Sequence, residues 1–415
     1  MDKWKRNLTI LCIGQFLAMA SMSCVTPFLP LYLQDLGVSD PDDAALWSGA
    51  IYGANLLSAF LFAPLWGRLA DRYGRKPMLL RSGIGMAITI TLMGIVTSPL
   101  QLLLLRLING VVSGFSPAAV ALTAMNAPKE RSGYALGMLH SSSVGGTICG
   151  PLIGGILADR FGFSAVFLYT GLSIAAASLV VLFWVKETPV ERKAAKETAG
   201  MREDFKHIMA RRPLPSLFVS SLLLRSAMVG SLPLIPLYVG MLAPSQNHIV
   251  LLAGVTAASM GVASMLAAPQ LGKLGDRFGA HRIFSFSMLG AILFAVPQAF
   301  VQNLWQLIAL RFFTGAFMGG LGPSLNTIIK QHAPSGMESR TYSYHNSAQI
   351  MGGLVGSIGM GAIAASSLGM EAVFLGTAIL LLLNWIWMKR MVFRHVDNRV
   401  EADKSLVNSK SEVQG

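Results

Sequence analysis

Five cationic or proton-exchanging side chains lie where water should be scarce. Arg106, Arg225 and Arg311 each interrupt an apolar run, and His140 and His345 lie in two others. A charge in such a run is costly, so it normally faces water, a carbonyl or a partner. Arg106 and Arg311 fit either a watery interior or snorkelling towards a surface. Arg225 lies about ten residues into its run, near the middle of a span. It could contact an anionic group, hold a hydrogen-bond network or make a structural bond between helices. Histidine exchanges protons near neutral pH, so His140 and His345 could relay protons or serve as plain hydrogen-bonding residues. The acids Asp35, Asp71, Asp159, Asp276 and Glu371 all fall at the ends of apolar runs or between them. These groups could bind charged solutes and move protons. Nothing points to covalent catalysis: the sequence has no Gly-Lys-Ser/Thr phosphate loop, no His-Glu-x-x-His and no Gly-x-Ser-x-Gly.

The elements that must position these groups are membrane helices. Of 415 residues, 53% are hydrophobic and only 13% charged, about half the globular share. The mean hydropathy is +0.56. Twelve apolar runs can be marked, at Leu8–Leu33, Trp47–Trp66, Met78–Thr97, Leu100–Thr123, Tyr134–Ala158, Phe163–Val185, Pro215–Gly240, Val250–Leu271, Arg282–Val301, Leu304–Thr327, Tyr342–Ala364 and Glu371–Met391. Each reaches the roughly 20 residues needed to span a bilayer. The first reads as a membrane helix rather than a cleavable signal, because it is too long and no small-residue cleavage pattern follows. Cys12, Cys24 and Cys149 fall inside apolar runs and read as small hydrophobes.

Apart from Arg160, the odd-numbered connections hold almost no Lys or Arg. The N-terminus, the even-numbered connections and the tail hold nearly all the rest. By the positive-inside bias, both termini are expected in the cytoplasm. The same placement accounts for the net charge of +13 and removes nucleic acid as a partner.

The chain repeats itself. Gly67, Asp71 and Arg72 recur as Gly272, Asp276 and Arg277, and Arg106 and Gly110 recur as Arg311 and Gly315. His140 and His345 keep the same offset. Pro27, Pro30 and Tyr32 recur as Pro233, Pro236 and Tyr238, and Ala165–Leu168 recurs as Ala372–Leu375. Parallel repeats of this kind build transporters with a site at the midplane between the halves. The expected organisation is a six-helix bundle at 1–185, a cytoplasmic linker with some amphipathic helix at 186–214, a second bundle at 215–391 and a cytoplasmic tail at 392–415.

Three motifs carry a family resemblance. The decapeptide Gly67–Lys76 has the form Gly-x-x-x-Asp-Arg-x-Gly-Arg-Lys, with a degenerate copy at Gly272–His281. Gly67 and Gly74 suit tight turns, and Asp71 could cap a neighbouring helix or pair with a base. Arg72, Arg75 and Lys76 could face anionic lipid or act only as a topological stop. In the fifth run, Gly146, Gly150, Pro151, Gly154 and Gly155 form a small-residue stripe that suits close helix packing. Arg106-Leu-Ile-Asn109-Gly110 lies in the fourth. Together with Trp4–Asn7, the Pro27–Tyr32 run and Arg131–Gly137, these resemble the major facilitator superfamily, specifically its bacterial drug:proton antiporter branch. The resemblance covers essentially the whole chain.

The resemblance implies an all-α, twelve-helix bundle in two pseudo-symmetric halves. It implies a multi-pass protein of the bacterial inner membrane that exports amphipathic small molecules by proton antiport and alternating access. No cofactor is implied, and the proton gradient supplies the energy. The partners would be a small-molecule substrate, protons and membrane lipids, with the chain acting as a monomer. The decapeptide would latch the outward-open state, tighter on the Asp71 side than on the Asp276 side, and the glycine stripe would pack the fifth helix against the opposite half. Gln15, Met19, Arg106, Asn109, Arg225 and His345 would line the cavity, and Asp35, His140, His345 and Arg106 would take part in proton coupling. One departure stands out, since many members of this branch carry a carboxylate deep in the first or fourth helix and this chain has none. That keeps open a symporter or facilitator for a metabolite, lipid or anion. A non-transporting membrane receptor would need a recognition domain that the sequence lacks.

Overall fold

The computed structural model describes residues 3–128, 132–185, 201–243, 248–334 and 337–393. Among these, regular structure is helical throughout, and ten stretches are long and apolar enough to cross a membrane. One of them, Tyr134–Trp184, holds two crossings joined at Gly162, whose φ of 79° breaks the helix. Arg75–Met93 completes the twelve. The first crossing packs on the fifth and sixth, the second on the fourth, and the third on the sixth. In the second half the seventh packs on the eleventh, the eighth on the tenth, and the twelfth on the seventh and ninth.

The repeat in sequence is a repeat in structure. Lys3–Val25 passes through a single 3-10 turn, Thr26–Phe28, into Leu29–Asp35. Leu214–Gly230 passes through Leu232–Leu234 into Ile235–Leu242. The cause is proline, which cannot donate to the helix ladder. The Thr26 hydroxyl donates to the Met22 carbonyl at 3.0 Å and helps to satisfy the backbone there. Beyond each bend a tyrosine ties the crossing to a carbonyl, Tyr32 to Met93 at 2.7 Å and Tyr238 to Gln298 at 3.1 Å.

Two expectations need correction. The decapeptide, which the marked runs leave as a connection between Trp66 and Met78, is mostly helix, because the second crossing runs unbroken over Pro41–Tyr73 and only Gly74 leaves the helix. Gly74 (φ 101°) and Gly279 (φ 95°) adopt matching backbone conformations that favour glycine, each ending one helix and opening the next. The fourth crossing is not one run either. It breaks between Pro99–Val112 and Phe115–Asn126, at Gly114 with φ 128°. In the expected linker, Met201–Ala210 is helical; 186–200, like 394–415 of the tail, lies outside the described residues.

Candidate functional site

The halves meet at the end of the bundle away from the N-terminus, here the distal end. Gly49 of the second crossing sits where a Cβ would come within 2.5 Å of the Ser357 carbonyl oxygen and 3.3 Å of Gly361 Cα in the eleventh. A Cβ on Gly254 of the eighth would reach 2.5 Å from the Pro151 carbonyl oxygen in the fifth. Such spacing needs backbone against backbone, which only small residues allow. His248, at the start of the eighth crossing, bridges to Asp159 of the fifth with Nδ1 and Oδ2 2.7 Å apart.

At the opposite end, nothing lies within 4 Å of where a Cβ would sit on Gly67, Gly137 or Gly272. A cavity of about 720 Å³ opens there between the first and fifth crossings. Trp4, Leu8, Cys12 and Phe16 line one wall, and Tyr134 and Met138 the other. This volume suits a drug-sized ligand.

None of the six residues expected from sequence to line a cavity lines this one. Gln15 is buried and donates to Ser116 at 2.9 Å and Ser143 at 3.2 Å, tying the first crossing to the fourth and fifth. Met19 packs beside Gly146. Arg225 is exposed, with its stem near Gly353. The lining of this cavity follows an i, i+4, i+8, i+12 stripe, Trp4-Leu8-Cys12-Phe16, matched by Tyr134 and Met138, on a different face of the first crossing from Gln15 and Met19.

Arg106 and Asn109 are buried together. Asn55 donates to the Arg106 carbonyl at 3.1 Å and to Asn109 Oδ1 at 3.0 Å, and Asn109 donates to the Thr89 hydroxyl at 2.7 Å. Arg106 Nε and Nη2 have no partner. Arg311 is also buried with an unpartnered Nε, and its Nη2 meets Met260 Sδ at 3.4 Å. Position 260 is the repeat counterpart of Asn55.

The two histidines are not equivalent. His140 is exposed. His345 is buried between the seventh and eleventh crossings, Nδ1 being 2.7 Å from Ser221 Oγ and Nε2 2.8 Å from Gln349 Nε2. Ser221 spends its own proton on the Leu217 carbonyl, so it accepts from Nδ1–H. Nε2 then accepts from the Gln349 amide. The network therefore fits neutral imidazole, and a second ring proton would require the amide to flip. Asp35 is exposed at the distal end of its helix.

The glycine stripe divides its work. Gly146, Gly150 and Gly154 pack against Phe16, Ala20 and Cys24 of the same half, and Gly155 and the Pro151 carbonyl face the opposite half, at Leu251 and Gly254. The resemblance implied the opposite half for the whole stripe; a turn of 3.6 residues sends neighbouring glycines to different partners. Of the decapeptide, Lys76 Nζ donates to the Leu182 carbonyl at 2.8 Å. Arg72 lies over its neighbour Tyr73, as Arg277 lies over Phe278. The side chains of Asp71 and Asp276, on which the latch expectation rests, lie outside those described.

Sequence reading passed over Arg81. Its guanidinium stacks 3.5 Å from the Trp66 ring centroid and donates to the Val112 and Ser113 carbonyls at 3.0 and 3.1 Å. Trp66 Nε1 donates to the Val111 carbonyl at 2.6 Å. Together they take up the carbonyls freed where the fourth crossing breaks.

Two repeated six-helix halves, in backbone contact at the distal end and with a ligand-sized cavity in the first half at the other, define a secondary transporter of multi-pass membrane type. A family profile described as Major Facilitator Superfamily matches residues 11–265 and 241–411. The chain belongs to that superfamily. It is 40% identical over 402 residues to "Multidrug resistance protein MdtG" of Dickeya zeae (strain Ech586), covering 96% of this chain and 98% of that one. It is 41% identical over 386 residues to the protein of the same name from Salmonella paratyphi A (strain ATCC 9150 / SARB42), covering 92% and 95%. Among solved structures it resembles the nucleoside transporter NupG, with TM-score 0.76, 17% identity and coverage of 94% and 99%. It also resembles a bacterial homologue of the human lysosomal transporter Spinster in an inward-facing, unoccupied conformation, with TM-score 0.77, 15% identity and coverage of 93% and 96%. At such identities the likeness concerns the fold alone.

Proposed function

We propose that this chain exports amphipathic small molecules across the bacterial inner membrane by proton antiport. The observation that carries the reading is the cavity of about 720 Å³, walled mainly by aromatic and aliphatic side chains, with Lys5, Thr9 and Ser142 among them, and open at the end that holds the N-terminus. The Lys/Arg pattern assigns that end to the cytoplasm. The conformation is then open inward, ready to load. The relatives named for multidrug resistance support export. Alternating access follows from the halves rocking about their interface. The protein works without a resident cofactor, as a monomer, on substrate, protons and lipid; it carries out no covalent chemistry.

Proteoliposomes with an imposed pH gradient test this. An amphipathic fluorescent cation should move against its concentration gradient, with counterflow of protons, and stop when the gradient is collapsed. Equal movement with and without the gradient would remove the antiport reading. A second reading, an anion symporter or facilitator, is favoured by the unpartnered guanidinium nitrogens of Arg106 and Arg311. Anionic amphiphiles in the same assay decide between the two.

A further inference from the structure

We propose that His248 and Asp159 form a proton-operated clasp that holds the distal faces of the two halves together. The inference rests on the alternating-access reading above and adds to it a residue pair that senses the proton on the outer side. Asp159 ends the fifth crossing and His248 opens the eighth, so the bond joins the two halves across 89 residues of chain.

The pair sits one turn beyond the tightest backbone contact of that interface. A Cβ on Gly155 would lie 3.2 Å from Leu251 Cα, and one on Gly254 would lie 2.5 Å from the Pro151 carbonyl oxygen. The bond can form only while those backbones touch, because separating them by even a few ångströms breaks a 2.7 Å contact. His248 also holds φ at 62°, and it is the one non-glycine residue with positive φ among those described. Such outliers gather at switch regions. The backbone turns there so that the ring reaches back towards Asp159.

The clasp responds to pH through charge. A neutral histidine can donate from Nδ1 to the carboxylate; a protonated one adds the attraction of opposite charges to that bond. The His248 side chain is 66% exposed, so it exchanges protons with the distal solution directly. The other charged groups at that end are Arg160 beside Asp159, Asp35, Asp40, Asp42 and Asp43 around the first connection, and Glu371 at the twelfth helix. The first turn after His248 is Ile249-Val250-Leu251 and carries no charge. Among the described residues only Asp159 is recorded as an ion-pair partner of His248. The sign follows. The closed state holds the protonated ring better than the open one, so closure takes up a proton and distal opening releases it. Acid on the distal side therefore favours the state open to the N-terminal side, as the return stroke of an exporter driven by inward protons requires.

The experiment places non-canonical amino acid labels at Phe161 and Leu368, both exposed at the distal end of opposite halves, which leaves the native cysteines in place. The distance between them is followed in proteoliposomes from about pH 8 to about pH 5.5, the range over which histidine gains charge. In the parent chain the short-distance population should rise about twofold to fivefold relative to the long one as the pH falls, the worth of an exposed ion pair. His248→Gln should flatten the profile, Asp159→Asn should do the same, and His248→Lys should favour the short distance at every pH. A His248→Gln profile that keeps the parent pH dependence would overturn the clasp, as would a His248→Lys chain that still titrates. If the distance titrates through His248 while no amphiphile is exported, the clasp stands and the export reading fails. If gradient-driven export is intact in a chain whose distal distance ignores His248, the clasp alone fails.

Discussion

The amide nitrogen of Asn109 donates to the Thr89 hydroxyl at 2.7 Å, tying the fourth crossing to the third. Asn55 adds the second crossing by donating to Asn109 Oδ1. Half a chain later, Gln298 donates to the Thr314 hydroxyl at 2.7 Å, linking the end of the ninth crossing to the tenth. Positions 109 and 314 correspond in the repeat, so each half is pinned at the same place by different chemistry. Asn109→Ala would leave the Asn55 amide and the Thr89 hydroxyl short of a partner, at a cost of about 1–3 kcal/mol. Thermal unfolding in detergent should show the loss. Thr314→Ala, which leaves the Gln298 amide its bond to the Phe294 carbonyl at 3.0 Å, should cost less. Equal unfolding midpoints for Asn109→Ala and the parent would show that the network adds no stability.

The divided glycine stripe predicts two different phenotypes from one type of substitution. A Cβ at Gly150 would lie 2.5 Å from the Ala20 carbonyl oxygen, inside the first half. Gly150→Ala should therefore overpack that half and lower its stability by about 1–3 kcal/mol. A Cβ at Gly254 meets the Pro151 carbonyl oxygen across the interface. Gly254→Ala should leave each half intact and instead lengthen the distal separation measured between Phe161 and Leu368. A shift of both quantities in both variants would show that the stripe acts as a single surface.

How much of this was legible follows from which interactions are local. The crossings, the repeat and the proline bends were readable because periodicity and spacing encode them. The positive φ at Gly74 and Gly279 was implied by glycine between two charged helix ends. The helix starts at Ser98 and Asn303 were also within reach. Each residue caps the backbone nitrogen of a glutamine three places on, and each glutamine in turn accepts from the backbone nitrogen just before the cap; the spacing is that of a capping box, with the return bond one residue earlier. Arg81 was not legible. Its partners Val112 and Ser113 lie more than thirty residues away, and the helix break that exposes their carbonyls is marked only by Gly114. His248 and Asp159 meet only because the halves close, so no spacing records them.

Arg81 gives a test of that break. Its fork takes two adjacent carbonyls while its face stacks on Trp66. Lysine offers the charge but neither the fork nor the plane. Arg81→Lys should lose about 1–2 kcal/mol of stability in detergent unfolding, and Trp66→Phe, which removes the bond to Val111, should lose a similar amount. Because both act on one helix end, the double variant should lose less than the two single losses combined.

His345 offers a sharper test of proton coupling than its exposed counterpart. Its ring donates to Ser221 and accepts from Gln349, an arrangement that holds one proton and can receive a second only if the amide turns. His345→Asn can keep the bond to Ser221 but cannot be protonated near neutral pH. If the ring relays protons, transport by this variant should lose its dependence on pH while the fold persists. If the ring is only structural, the rate should scale down equally at every pH. His140→Gln, at an exposed ring, should leave the profile as it is.

The cavity between the first and fifth crossings predicts selectivity by size. Met138 forms part of its wall, and a thioether is pliant enough to repack around different ligands. Met138→Trp would fill part of the space with a rigid ring. Larger amphiphiles should then need about tenfold higher concentration for half-maximal transport, a loss of about 1.4 kcal/mol in binding. Small substrates that leave the wall untouched should be transported as before, and the proton counterflow they drive should be unchanged. The complementary Phe16→Ala opens the opposite wall and should admit larger ligands. Transport of a graded series of fluorescent amphiphiles measures both effects. If the two variants change all substrates alike, the cavity is a structural void of the first half and the loading site lies elsewhere.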